Sequence, residues 1–436
     1  MKQTTVVYAT FDGIATMQHG IGTQARAFIS AVSDTALPAG TDVALAFPRP
    51  VAQCAGYPWS DEIHHSTQQL CASARIQLVQ LPFAEPVLWS QSAWVSICLA
   101  LIEAVRDLRR AGRRVVVLAV DAVFTPLSTL ALAEFGRDPD VEIVHVLYSS
   151  ARMAGAAEDP VREAWEQIAI ATSNSHSWVS VTDIGASFTR HLRDAYGLAS
   201  DPLPFRQSVA LNDPELMPYG DAEVESILEE AGIPTDRPLI VAAARSDPIK
   251  GLHDLADSLA LVSADVLFVI IAVPYHADDP HLLALNDHLA WSGRDHVLVT
   301  HFDRSLLRAL ASADSTYAFV VPSRGEPVGM APQEVAMWAR VAGPVVAASD
   351  CDGLAEQIDH GRDGFLFAPG DAVEIARTID HLVALPADER ARVRARLWQR
   401  VVRERDFVEN LSALLRALNI ETRRRPRLGK EEGVLA

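Results

Sequence analysis

Short apolar runs alternate with longer amphipathic stretches along most of this chain. In the first half, strand-like runs cover Thr5–Thr10, Asp42–Phe47, Arg75–Leu81, Arg114–Val120, Glu142–Tyr148 and Trp178–Thr182. Several are unbroken and β-branched, the signature of strands covered on both faces. Helical periodicity fills the gaps, at Thr23–Ser33, across Trp94–Arg110 and at Ile184–Tyr196. The alternation predicts α/β, doubly wound parallel sheets.

The pattern breaks after Pro202, where Pro204, Pro214, Pro218 and Pro234 punctuate a turn-rich run. A second series follows: Leu239–Ala244, a helix at Leu252–Leu261, then Val266–Val273, His296–Thr300, Ala318–Val321 and Pro344–Ala348. Helices close the chain over Ala387–Arg403 and Phe407–Leu418. This reading gives two Rossmann-like domains, over residues 1–212 and 238–405, joined by a linker over 213–237. Residues 406–420 are expected to form a C-terminal helix packing back on the first domain, and 421–436 a disordered, solvated, arginine-rich tail. Two such domains leave a central cleft faced by the carboxyl ends of both sheets.

Composition narrows the partners. The net charge of −18 disfavours nucleic acid and anionic membrane. The four cysteines lack metal-ligand spacing and read as reduced and mostly buried. With no signal-peptide pattern and no apolar window long enough to span a bilayer, the expectation is a cytoplasmic protein.

Four stretches carry candidate chemistry. In Phe319–Ala336, an apolar strand stops at Pro322, a loop runs from Ser323 to Gly329, and a helix begins with Pro332 in its first turn. Glu326 lies in the loop and Glu334 in the first helical turn, where a carboxylate meets the positive end of the dipole. Read alone, this is also an ordinary capped helix. Arg245 to Gly251 places two cations, Arg245 and Lys250, at a strand's carboxyl end before a helix, an arrangement that favours a bound anion.

His19-Gly20-Ile21-Gly22-Thr23 opens a helix, and its glycines let amides approach an anion. Gly20, Gly22 and Ala25 satisfy the G-x-G-x-x-A dinucleotide pattern. Residues 11–18 separate them from the strand, however, and no acid ends the next strand, so a nicotinamide site is set aside. His145 sits near a strand end, where a core histidine and a functional one are equally common. Asp138-Pro139-Asp140 and Asp350-Cys351-Asp352 fit D-x-D metal spacing but read as turn acids, and Arg106, Arg109, Arg110, Arg113 and Arg114 as a helix-closing group.

Taken together, Arg245 with Lys250-Gly251, Pro322-Ser323, Glu326, Gly329 and Glu334, then Gly353-Leu354-Ala355-Glu356 and Gly361-Arg362-Asp363-Gly364-Phe365-Leu366, resemble the retaining GT-B glycosyltransferases of family 4. Order and spacing agree from about Leu239 to Leu385; the first domain agrees more loosely, through the Gly20-Gly22 loop, His145 and Val179-Ser180-Val181-Thr182.

The resemblance implies a metal-independent enzyme with no cofactor, whose co-substrate is a nucleotide diphosphate sugar, UDP- or GDP-linked. Arg245 and Lys250 would hold the diphosphate, with Gly20, Gly22 and Thr23 opposite. Glu326 and the amides near Gly329, Met330 and Ala331 would hold the donor sugar, Glu334 the ribose, and His145 would lie beside the transferred sugar. By the same analogy, the alanine-, arginine- and valine-rich composition looks actinobacterial. It implies a small-molecule acceptor in antibiotic or other secondary-metabolite biosynthesis, an aminocyclitol or a thiol or hydroxyl compound; an oligomer is compatible. A sugar-nucleotide epimerase, a polysaccharide glycosyltransferase and a non-catalytic sugar-nucleotide binder remain alternatives. The sequence departs from the family pattern at Val328, Pro332-Gln333 and Asp352, and lacks the usual Pro-Asn-Gly turn before the linker.

Overall fold

The computed structural model describes residues 2–16, 20–153, 159–274 and 278–425. The apolar runs become two parallel sheets. The first contains β1 (Thr4–Ala9), β2 (Thr41–Pro50), β3 (Ile76–Phe83), β4 (Arg114–Val120), β5 (Val141–Val146), β6 (Val179–Asp183) and β7 (Leu203–Pro204). Their order is β3-β2-β1-β4-β5-β6-β7, with every neighbouring pair parallel. The second contains β8 (Leu239–Arg245), β9 (Leu267–Val273), β10 (His296–Val299), β11 (Thr316–Val321), β12 (Val345–Ser349) and β13 (Phe365–Phe367), ordered β10-β9-β8-β11-β12-β13. These pairs are parallel too.

Residues 115–120 of β4 are all essentially inaccessible, as a strand with helices on both faces requires. Each sheet reverses its order beside its own first strand, between β1 and β4 and between β8 and β11. A crevice opens at such a switch point because the flanking loops diverge to opposite faces.

The stretch predicted as a linker is mostly not one. Asp221–Glu230 is a helix, and Leu216, Val224, Leu228 and Ile233 join an apolar cluster of the second domain. The chain crosses between domains near Val209 instead, and crosses back beside itself. Val209 N–H donates to the Arg405 carbonyl at 3.0 Å, and Phe407 N–H to the Val209 carbonyl at 3.0 Å. The proline-rich composition hid the helix, because its prolines flank it rather than interrupt it.

The last helix, Phe407–Ala417, buries Phe407, Val408, Leu411, Leu414 and Leu415 in the first domain's core. The tail also differs from expectation. Arg423 and Arg424 pair antiparallel with Thr35–Ala36, and Arg424 bonds the Asp406 carboxylate at 2.8 Å. The remainder of the tail, from residue 426, lies outside the described residues. The arginine group at the end of the Gln91–Arg110 helix does more than close it. Arg106 pairs with Glu134, Arg109 with Asp138 and Asp140, Arg113 with Asp42 and Arg114 with Glu142. The acids of Asp138-Pro139-Asp140 are therefore ion-pair partners of the helix, and Lys2 also holds Asp140.

Candidate active site

The loops after β8 and β11 meet at the second sheet's switch point, and glycine makes the meeting possible. Gly251 has φ +66, and a Cβ there would sit 1.9 Å from the Pro322 carbonyl oxygen. Without it the two loops close together, and Arg324 N–H donates to the Ile249 carbonyl at 2.7 Å. Lys250 then reaches Glu326 as a hydrogen-bonded ion pair. Arg324 forms a two-point pair with Asp254 across the same seam. Gly329 has φ +82, and a Cβ would come within 2.8 Å of the Glu326 side chain. The glycine thus turns the chain tightly behind that carboxylate.

Each candidate charge in the second domain has an internal partner. Arg245 bonds Asp247 at 2.6 Å, Lys250 bonds Glu326, and Glu334 bonds Arg304 at 3.1 Å. Arg304 carries no motif, and the sequence reading missed it. It begins the Arg304–Ser312 helix behind the N-cap Asp303, and its guanidinium also lies over the Trp338 ring. The helix carrying Glu334 is Ala331–Trp338, with Met330 at its N-cap and Glu334 in its first turn. Gln333 within it is fully buried and donates to the Gln207 carbonyl at 3.4 Å, tying the helix to the domain crossing.

From the first domain, the helix Gly20–Asp34 approaches the same place. Gln24 donates to the Met330 sulfur at 3.3 Å, and Gly20 lies across from the Met330 side chain. The helix begins three residues earlier than expected, so Gly20, Gly22 and Thr23 lie in its first turn with the free amides that turn supplies. Gly22 is buried beneath Gly13, where a Cβ would meet the Gly22 carbonyl oxygen at 2.7 Å. Its small size therefore serves packing as well as backbone exposure. His19 lies outside the described residues.

His145 is not brought to the open cleft. It sits in β5 between Ala119 and Val181, with no exposed surface. Neither ring nitrogen has a hydrogen-bond partner among the described residues, and burial pushes its pKa down to about 4. The imidazole is neutral at physiological pH, and its place beside a transferred sugar is not what this packing displays.

A residue that sequence reasoning passed over stands nearby. Asp121 follows β4 at the first sheet's switch point, with φ +62 and ψ −167, a region almost restricted to glycine. Such a backbone costs about 1–3 kcal/mol and persists only where the surroundings impose it. Its side chain is 5% exposed, 3.6 Å from Arg162, which also pairs with buried Glu166. Burial raises its pKa to about 6, and Arg162 opposes the rise. The available signal was an acid placed directly after an unbroken apolar strand.

The sign of that shift yields a prediction. Asp121 binds its proton more tightly folded than unfolded, so stability falls as pH rises from about 4 to about 6 and is level above. The expected loss is on the order of 2–3 kcal/mol. Asp121→Asn should lack this slope in denaturant melts taken between those pH values. Parallel curves for the two proteins would refute the assignment.

Among the described residues, no group of three or more His, Cys, Asp or Glu side chains could hold a metal ion. Asp352, in the second D-x-D stretch, has φ +38 and accepts the Glu326 N–H at 3.3 Å. The positive φ explains why a glycine suits this position.

Residues 223–397 match the family model described as glycosyl transferases group 1. An α-maltose-1-phosphate synthase of Mycobacterium tuberculosis is 30% identical over 184 residues, 39% of this chain and 45% of that protein. The chain spans about half the length of the curated relatives it matches. The structure of sucrose-phosphate synthase from Thermosynechococcus elongatus superposes with a TM-score of 0.70 at 15% identity, covering 95% of this chain and 99% of that one. Anabaena HepE in complex with UDP and glucose gives 0.66 at 14%, with the same coverage. The chain thus has the GT-B fold, and over residues 223–397 it matches the glycosyl transferases group 1 family.

Proposed function

We propose that this protein is a retaining glycosyltransferase that moves a sugar from a nucleotide diphosphate sugar to a small-molecule acceptor without a metal. The observation that carries the reading is the convergence of Arg245, Lys250, Glu326 and Glu334 at one switch point, opposite the first turn of Gly20–Asp34. In the free protein Lys250 and Glu326 neutralise each other, while Asp247 and Arg304 neutralise Arg245 and Glu334. A diphosphate would draw Arg245 and Lys250 away from their carboxylates, and Glu326 would then be free to accept hydroxyl donors from the sugar. Cleaving the anomeric C–O bond leaves extra negative charge on the diphosphate, and fixed cations beside it lower the barrier. The leaving phosphate would take the acceptor's proton in a front-face displacement. Glu334, with Arg304 beside it, would bind the ribose.

The HepE complex with UDP and glucose favours a UDP-linked donor. The acceptor belongs on the first-domain side, near Asp121, and an aminocyclitol or another hydroxyl or thiol compound of secondary metabolism fits the reading. Incubation with UDP- and GDP-sugars, with and without such acceptors, tests it. Free nucleotide that appears only with an acceptor is the expected result. Interconverted sugar nucleotides would indicate an epimerase instead, and binding without turnover a sensor.

A further inference from the structure

One of the links between the donor-side loop and the first domain runs through a short element, Asp352–Ala355 with the two residues after it. On one side this element holds residues 326–329. Gly353 N–H donates to the Glu326 carbonyl at 3.0 Å, and the Gln357 amide donates to the carbonyls of Val328 and, at 3.2 Å, Gly329. The fit leaves no room, since a Cβ on Gly353 would lie 2.2 Å from the Pro327 carbonyl oxygen. On the other side Glu356 reaches into the first domain. Its carboxylate accepts N–H bonds from Ala186, at 3.0 Å, and from Ser187.

Those two amides open the helix Ala186–Tyr196, whose N-cap is Gly185 and which has no side-chain cap of its own. A helix start leaves free amides and a partial positive charge, normally met by a neighbouring Ser, Thr, Asp or Asn. Here the cap comes from the other domain. Val328 from the donor-side loop packs beside it, 1% exposed within the first domain's apolar cluster. A Cβ on Gly185 would come within 3.2 Å of both the Glu356 carboxylate and Val328, so glycine leaves just enough space for the two to dock.

We propose that Glu356 is a positioning residue that couples closure of the two domains to the geometry of the donor-side loop. Its bonds to the Ala186–Tyr196 helix exist only when the domains are together, and the same short element grips Glu326, Val328 and Gly329. Closing the cleft therefore sets the loop that carries Glu326, and opening it releases Val328 and exposes the uncapped helix. This also accounts for a valine at position 328: the side chain is a docking surface against Gly185, where a larger ring would collide. The inference rests on the glycosyl-transfer reading only for its effect on turnover; the coupling itself is a property of the free protein.

The test uses the full chain and three variants. Glu356→Ala removes the cap. Ala186→Pro removes one donor while placing proline at the first helical position, where helices accept it. Gly185→Ser supplies a local cap and crowds Glu356. Small-angle scattering of the unliganded proteins should show a larger radius of gyration in all three than in the wild type. The Glu356→Ala/Ala186→Pro double variant should be no more open than Glu356→Ala alone, because the bond lost in Ala186→Pro is one of the two that Glu356→Ala already removes. Glu356→Gln, which keeps an acceptor oxygen, should restore part of the closure. With UDP as the probe, affinity should fall less than turnover, since most groups proposed to hold the nucleotide lie on the second domain, while turnover with a UDP-sugar falls about tenfold.

An unchanged radius of gyration in Glu356→Ala and Gly185→Ser, or additive opening in the double variant, overturns the proposal. So does a loss of UDP affinity equal to the loss of turnover. If UDP does not bind the wild type, the glycosyl-transfer reading fails, while the scattering result still decides the coupling.

Discussion

Replacing Lys250 by alanine is expected to lower turnover by about 100- to 1000-fold, the effect of removing one fixed group from a developing negative charge. Lys250 lies in the single turn between β8 and the Leu252–Leu259 helix, and its ammonium is hydrogen-bonded to Glu326. In the proposed reaction it faces the leaving diphosphate, whose charge grows as the anomeric bond breaks. The same substitution leaves Glu326 without its cation, so the carboxylate proposed to hold the donor sugar loses its orientation as well. Lys250→Arg should restore little, because a planar fork does not replace a compact point charge at this spacing. Initial rates of nucleotide release measure both variants. A Lys250→Ala rate within a few-fold of wild type would remove Lys250 from the chemistry.

Gly251→Ala should have the second large effect, and on stability as well as rate. At φ +66 an alanine is already strained, and its Cβ would lie 1.9 Å from the Pro322 carbonyl oxygen, a separation no packing tolerates. Both contacting groups are backbone, so relief requires the loops after β8 and β11 to part. The expected cost is about 3 kcal/mol, from overpacking together with an unfavourable backbone. Parting the loops also pulls Lys250 from Glu326, so turnover should fall with Gly251→Ala at temperatures where the protein remains folded. Urea unfolding with an unchanged m-value, read beside activity, checks both. A variant of wild-type stability would mean that the two loops do not meet as described.

The places of several candidate residues in the fold could be read before the fold was known. Arg245, Lys250, Glu326 and Glu334 lie in a strand end, in the loops after β8 and β11 and in a first helical turn, as the apolar runs and proline positions indicate. Their partners were less legible. Arg304 reaches Glu334 from a separate helix thirty positions earlier in the chain, and Glu356 reaches Ala186 from the opposite domain; no local pattern encodes either contact. Asp121 offers only a weak sequence signal, an acid directly after an apolar strand, because its distinguishing feature is a backbone angle. His145 was read from its place near a strand end, but the structure buries it completely in β5. The helix Asp221–Glu230 has the sequence context of a linker because prolines surround it.

The departures from the family pattern acquire physical roles. Val328 packs against the first domain beside Gly185, Gln333 bonds the Gln207 carbonyl, and Asp352 accepts the Glu326 N–H. All three side chains make contacts between elements that a simple loop-to-helix motif would leave independent. They tie the donor-side loop to its surroundings at the points where the sequence is least typical.

The most direct test of the central claim, that Arg245 and Lys250 hold the diphosphate of a nucleotide sugar, is calorimetric titration of UDP into the wild type and into Arg245→Ala/Lys250→Ala. The account expects saturable binding at one site in the wild type and at least about a hundredfold weaker binding in the double variant, from the loss of two charge-assisted contacts. Equal affinity in the two proteins would contradict it.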